Sequence, residues 1–210
     1  MRFSVAIATV LAFLLTTWAC GAEAINGDVV RLKVETNSSA AFSRTAAILK
    51  NRLHLAGIPA QVDLEVSHIL LIRTQQSISS RLQELLTARG RVMFRIVQSG
   101  AEFRSERPIS KATYGMDPGG SPALFIKISE PAKFAAFTRA NVGRDLEIYL
   151  DDRALTRVQI MQPILGVGEI VSHEPSVELH IIATIINAGP LPATVVQIRD
   201  QVPVKRSHVI

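Results

Sequence analysis

The chain has 210 residues, 48% of them hydrophobic, 20% charged and 5% aromatic, with a formal charge of +5; that length makes one domain, or two small ones in contact, able to build a core without disulfides or metals. The single cysteine, Cys20, excludes a disulfide framework and any thiolate zinc or iron–sulfur site, and 12 glycines with 10 prolines exclude a collagen-like or low-complexity chain. The basic residues are scattered singly, and Trp18, Tyr114 and Tyr149 are the only residues of their kinds, so no base-stacking platform and no nucleic-acid partner is expected.

Arg2 is the only charge before Glu23. Between them residues 5–19 form an apolar run, of a length suited to an export signal and short of the ~20 residues of a spanning helix. Ala22-Glu23-Ala24 supplies small residues at alternate positions. The expectation is a signal peptide over 1–24, cleavage after Ala24, and a mature chain in the periplasm or cell envelope. Two alternatives stay open. Cys20 can be lipidated, although Trp18 places a bulky ring just before it, or residues 3–20 can be retained as an anchor. Any membrane contact is expected only through this segment, because no later stretch approaches 18 apolar residues.

Residues 29–35 alternate Val30, Leu32 and Val34 with charges, the period of a half-buried strand. Ser38 or Ser39 then caps a helix whose Phe42, Ala46, Leu49, Leu53 and Ala56 share one face, with Gly57 as its stop. Val62, Leu64 and Val66 give a second strand, and 69–72 a third. A helix over 77–89 points Ile78, Leu82, Leu85 and Leu86 inward and stops at Gly90, and 92–97 returns to strand. Residues 98–121, with Pro108, Pro118, Gly119 and Gly120, read as a loop and a boundary. After a strand over 124–128, Ser129, Glu130 and Pro131 open a helix with Phe134, Phe137 and Val142 inward, ended by Gly143. Strands over 145–150 and 154–160 flank a turn at Asp151-Asp152, and Gly166-Val167-Gly168 turns into a strand over 169–172. Residues 175–187 are assigned to helix because Pro175 and Gly189 bracket them, against the β-branched Ile181, Ile182, Ile185 and Ile186. A last strand covers 194–198.

Catalytic patterns are missing. His173 and His180 lie seven apart near Glu174 and Glu178, but no H-E-x-x-H accompanies them. Gly166-Val167-Gly168 lacks the third glycine of a dinucleotide loop, and there is no G-x-S-x-G. Asp151-Asp152 has the chemistry of a turn, where Asp bonds its own backbone, better than that of an acid–base pair. No enzyme activity, metal or cofactor is therefore expected.

Several motifs stand in one order along the chain. Ile48-Leu49-Lys50-Asn51-Arg52-Leu53-His54-Leu55-Ala56-Gly57-Ile58 ends the first helix, and residues 85–95 carry a Leu-x-x-x-Gly-x-x-x-Phe-Arg spacing. Phe134-Ala135-Ala136-Phe137-Thr138-Arg139-Ala140-Asn141-Val142-Gly143-Arg144 follows, then Leu146-Glu147-Ile148-Tyr149-Leu150-Asp151 and Ala188-Gly189-Pro190-Leu191-Pro192-Ala193. Together they resemble the large periplasmic domain of SecD, an accessory subunit of the bacterial Sec translocon, over residues 29–204. Two features depart from that family: Ile25-Asn26-Gly27-Asp28 does not match its glycine-rich Leu-Asp-Leu-x-Gly-Gly motif, and Pro190 stiffens its Ala-Gly-Ala-Leu-Pro turn.

The resemblance implies an α+β fold: a ferredoxin-like base sheet with helices on one face, formed by 25–98 and 190–210, and an inserted smaller α+β head over 99–189. The base strands would be 29–35, 62–72, 92–97 and 194–198. It implies a stand-alone exported module without the transmembrane helices or proton-driven activity of SecD, contacting unfolded or translocating polypeptide or components of the Sec translocon. The alternative is an envelope scaffold unrelated to export. A polypeptide in transit offers no fixed sequence, so an apolar strip or an unpaired strand edge is the expected contact. The candidates in the head are Leu124, Ile126, Ile128, Val158, Ile160 and Ile164; the competing reading is that they face the head's own core.

Overall fold

A computed structural model describes residues 28–171 and 176–198. The expected signal segment with Cys20, the triplet His173-Glu174-Pro175 and residues 199–210 lie outside the described residues. The described elements are β1 (Asp28–Glu35), α1 (Ser39–Leu55), β2 (Ala60–Glu65), β3 (Ile69–Thr74), α2 (Ser80–Thr87), β4 (Val92–Ile96), β5 (Ile109–Met116), β6 (Pro122–Ile128), α3 (Pro131–Arg139), β7 (Asp145–Leu150), β8 (Arg153–Gln159), β9 (Val167–Val171), α4 (Ser176–Ala188) and β10 (Thr194–Ile198). Among the described residues the strands form three antiparallel sheets, ordered β10-β1-β3-β2, β4-β7-β8 and β5-β6-β9.

The first sheet joins the two ends of the described chain. Val34 faces Val195 across β1–β10, and Val30 and Leu32 face Ile72 and Leu70 across β1–β3. These side chains are buried in one cluster with Leu49 and Leu53 of α1 and Leu82, Leu85 and Leu86 of α2. Alternation along β1 leaves Val29, Arg31, Lys33 and Glu35 on the opposite, open face. The cap of α1 is Ser38, whose Oγ accepts from Ala41 N at 3.2 Å. At the other end Gly57 takes φ 66°, so that Ile58 N can bond back to Leu53 O at 2.9 Å.

Between β4 and β9 the chain builds a second layer. The β4-β7-β8 sheet presses Phe94, Ile96, Leu146, Ile148 and Leu150 inward, where Phe134 from α3 meets Phe94 at 4.8 Å and Phe103 at 5.0 Å between ring centroids. The α4 helix packs against α1 and α2 on one side and β5 and β6 on the other. That position explains why an isoleucine-rich segment is helical: Leu179, Ile181, Ile182, Ile185 and Ile186 are buried on several sides at once, and tertiary burial outweighs β-propensity.

Several local expectations are corrected. The strand over 92–97 pairs with β7 and not with the first sheet. Within the supposed loop 98–121 lies β5, paired along its length with β6. Leu64 and Val66 do not point into a core but are 57% and 85% exposed, because β2 is the sheet's edge and Val66 belongs to the turn into β3. The α2 helix starts at Ser80 with Ser79 as its cap. The cap position of α3 is Glu130, without a side-chain bond, and not Ser129. That helix ends at Arg139, which leaves Val142 48% exposed and buries Asn141 instead.

The β5 edge is closed by a side chain. Asn187 near the end of α4 accepts from Ala112 N at 2.8 Å and donates to Ala112 O at 2.7 Å, standing where a neighbouring strand would be. Asn187→Ala should cost about 1–3 kcal/mol, because both peptide groups of the buried Ala112 lose their partner. Urea denaturation checks this, and Asn187→Asp should cost at least as much by aiming a carboxylate at a carbonyl.

Candidate functional site

The six apolar candidates separate by depth. Leu124, Ile126, Ile128 and Ile160 are buried, at 0%, 6%, 2% and 1% exposure, and Ile164 is half-buried against the same core. They face inward because β6 lies in the middle of its sheet with α4 over one face, and because Ile160 N bonds Arg144 O while Ile160 O accepts from Gly143 N. Only Val158, 37% exposed on the edge strand β8, is at the surface. The structure therefore does not bring the six together as an accessible strip.

It exposes their neighbours. The β8–β9 connection carries Met161 and Leu165, both 76% exposed, and Val167, 70% exposed at the start of β9. The segment is pinned at two points that flank Leu165. Ile164 N donates to Thr138 Oγ1 at 3.0 Å, and Gly166 O accepts from Ile128 N at 2.8 Å. Gly166 is at φ 98°, and a Cβ there would stand 2.7 Å from Pro131 Cβ, so this close left-handed turn requires glycine. The α3 end supplies the first pin: Thr138 Oγ1 also bonds Phe134 O at 2.9 Å, and Asn141 caps Phe137 O at 2.8 Å while its Oδ1 accepts from Arg144 at 3.0 Å. The Thr-x-x-Asn-Val-Gly-Arg motif is thus the mount of this connection. On the outer sheet face beside it, Val167 stands opposite Lys127, which stands opposite Lys111. Phe125, 38% exposed, lies one row further, its ring over Gly115, where a Cβ would come within 2.9 Å.

The outer face of the β4-β7-β8 sheet is polar. Glu147 accepts from Tyr149 Oη at 2.5 Å and from Arg95 at 3.2 Å, and Arg95 lies 4.6 Å from the Tyr149 ring centroid. The Tyr149 bond, followed by Arg95, holds the Glu147 carboxyl below its ordinary range, and the same bond pushes the Tyr149 phenol up. Arg157 pairs with Asp145 at 2.6 Å. These groups satisfy one another.

A second feature was passed over in the sequence. Arg52 is fully buried, and its guanidinium donates to Leu85 O at 3.0 Å, Ala88 O at 2.6 Å, and Arg89 O and Gly189 O at 3.3 Å each. One cation thereby closes the C-terminal ends of α2 and α4, where helix dipoles leave negative charge. Burial pushes its pKa down to about 10, opposed by the charge of Asp151. Asp151 sits at φ 54° in the β7–β8 turn and accepts from Gly90 N at 3.1 Å and Arg91 N at 2.9 Å. The turn aspartate expected from sequence is a cross-link between the two layers. Arg52 lay within a recognised motif, and its place three residues after Leu49 on the apolar face was the available signal.

A family model described as "SecDF, P1 head subdomain" matches residues 84–193, more than half of the chain. The protein translocase subunit SecD of Acidaminococcus fermentans is 33% identical over 79 residues, covering 36% of this chain and 19% of that protein. SecD of Aquifex aeolicus is 28% identical over 123 residues, covering 57% and 24%, respectively. The chain spans less than a quarter of the length of these curated relatives. Among solved structures, SecDF in a super-membrane-facing form superposes with a TM-score of 0.72 at 19% identity, over 81% of this chain and 29% of that one. A second SecDF structure, described as a membrane component that enhances protein export, gives 0.68 at 19% identity and covers 82% of this chain and 98% of that chain. At such identity the likeness is one of fold.

Proposed function

Because the chain belongs to the SecDF P1 head subdomain family, we propose that it serves protein export at the cell envelope by contacting unfolded polypeptide through the β8–β9 connection of its head. The observation that carries this reading is the exposure of Met161, Leu165 and Val167, three large apolar side chains within one short, pinned segment. Folded monomers seldom expose such groups together unless something covers them. The strand order β10-β1-β3-β2, with α1 and α2 against the sheet, supports a ferredoxin-like base that carries the head. A polypeptide in transit meets the requirement of an apolar, sequence-tolerant contact, and Lys111 and Lys127 beside Val167 keep the patch soluble when empty.

The test is a paired substitution, Met161→Glu with Leu165→Glu. Binding to a permanently unfolded, fluorescently labelled test protein should weaken about tenfold or more, since roughly 1.4 kcal/mol of lost apolar contact suffices. The melting temperature should stay unchanged, because both side chains are 76% exposed. Ile164→Asp is the contrast: its half-buried side chain should cost stability first. Equal binding by the double variant would move the contact elsewhere. No binding by the unsubstituted protein would leave the envelope scaffold as the better reading.

A further inference from the structure

Away from the β8–β9 connection, a cleft of about 730 Å³ opens where the two layers meet, beneath the residues that follow Gly189. Six charged residues line it: Arg44 of α1, Arg89 and Arg91 of the α2–β4 link, Glu106, and Asp151 and Asp152 of the β7–β8 turn. Their charges do not cancel in pairs. The Asp151 carboxylate is taken by the two backbone N–H groups of Gly90 and Arg91 and faces the buried Arg52. Among the described residues, none of the Arg44, Arg89 and Arg91 guanidinium groups meets a carboxylate within 4.0 Å. Arg89 Nε is buried without any hydrogen-bond partner. Three guanidinium forks therefore share one cleft with donors to spare, against the two carboxylates of Glu106 and Asp152.

We propose that this cleft binds a phosphate-type oxyanion. Guanidinium groups bind oxyanions through paired N–H donors, and three of them in one cleft suit a tetrahedral group with several oxygens better than a carboxylate with two. Inorganic phosphate and the phosphodiester of a lipid headgroup present the same chemistry. The site lies apart from Met161, Leu165 and Val167, so it stands or falls independently of the polypeptide contact.

The experiment uses the full chain. Inorganic phosphate is titrated against chloride at matched ionic strength, with the melting temperature and the phosphorus NMR line width as readouts. In parallel, co-sedimentation is measured with phosphatidylcholine vesicles containing phosphatidylglycerol. A saturable response to phosphate, absent with chloride, is expected, and Arg89→Ala with Arg91→Ala should weaken it about tenfold or more. Glu106→Gln removes an opposing charge and should tighten binding about two- to fivefold, an effect that unfolding cannot mimic. Vesicle binding with the same sensitivity to both variants assigns the site to a lipid headgroup; phosphate binding alone assigns it to a free anion. The proposal is overturned if neither probe binds saturably, or if the arginine variant binds as the parent does. If that variant fails to fold, unchanged affinity in Glu106→Gln overturns it.

Discussion

Replacing Arg52 by alanine is expected to lower stability by about 3–5 kcal/mol, the scale seen when one partner is removed from a buried charged network. The carbonyl oxygens of Leu85, Ala88, Arg89 and Gly189 lose the guanidinium at once, although Arg89 O keeps its bond from Leu191 N, and the void left by a fully buried side chain adds to the loss. For a protein of 210 residues this is a fall in melting temperature on the order of 10 °C. Hydrogen exchange should speed up first at Gly189 and Leu191, whose amides bond Ile185 O and Arg89 O beside the guanidinium. Arg52→Lys should recover only part of the loss, since an ammonium keeps the charge but not the planar fork that reaches two helix ends. The pKa, although lowered by burial to about 10, still leaves the group charged across roughly pH 5 to 8, so the loss should be flat over that range. A loss under about 1 kcal/mol in urea denaturation would mean that other contacts hold α2 and α4 together.

The second large effect is expected in the head. Phe134 is 1% exposed and touches Phe94, Phe103 and Phe137, with ring centroids at 4.8, 5.0 and 6.2 Å. Phe134→Ala should cost about 3–5 kcal/mol, from lost burial and from a cavity that β4 and α3 cannot close without breaking the β4–β7 ladder. Because Thr138 on the same helix holds Ile164, the damage should reach the β8–β9 connection. Tryptic cleavage after Arg139 and Arg144 should rise before the first sheet loses protection. Phe134→Leu should cost clearly less, since it keeps most of the volume. Cleavage that begins in the first sheet would contradict this order of events.

The candidate site was legible only in part. Alternation in β6 announces one buried face but not which face a helix will cover, and the covering α4 lies about fifty residues away in sequence. Leu124, Ile126 and Ile128 form the single face that alternation predicts, and of the two readings open to that face the buried one holds. Met161 and Leu165 follow no period because they sit in a connection, and an apolar residue in a loop carries no local sign of its exposure. Gly166, whose left-handed turn was readable, marked the neighbourhood.

By itself the sequence determined what depends on near neighbours. The limits of β7 and β10, a serine cap at 38 or 39 and the Gly57 stop of α1, and the Asp151 turn all follow from side-chain period and backbone sterics within a few residues. The collinear motifs then carried the family. What only the tertiary structure decided is partnership. Val92–Ile96 has the same alternation whether it joins β1 or β7, and its inward Phe94 finds Phe134 only in the second layer. The β5 strand shows no clean alternation because its ladder shifts register between Ile109 and Lys111, which breaks the two-residue period. Arg52 looks like any helix arginine until the ends of α2 and α4 arrive to accept its hydrogen bonds. Period and cap are written in covalent neighbourhood. Pairing and burial are set by segments that meet across scores of residues, and their energies depend on both partners at once.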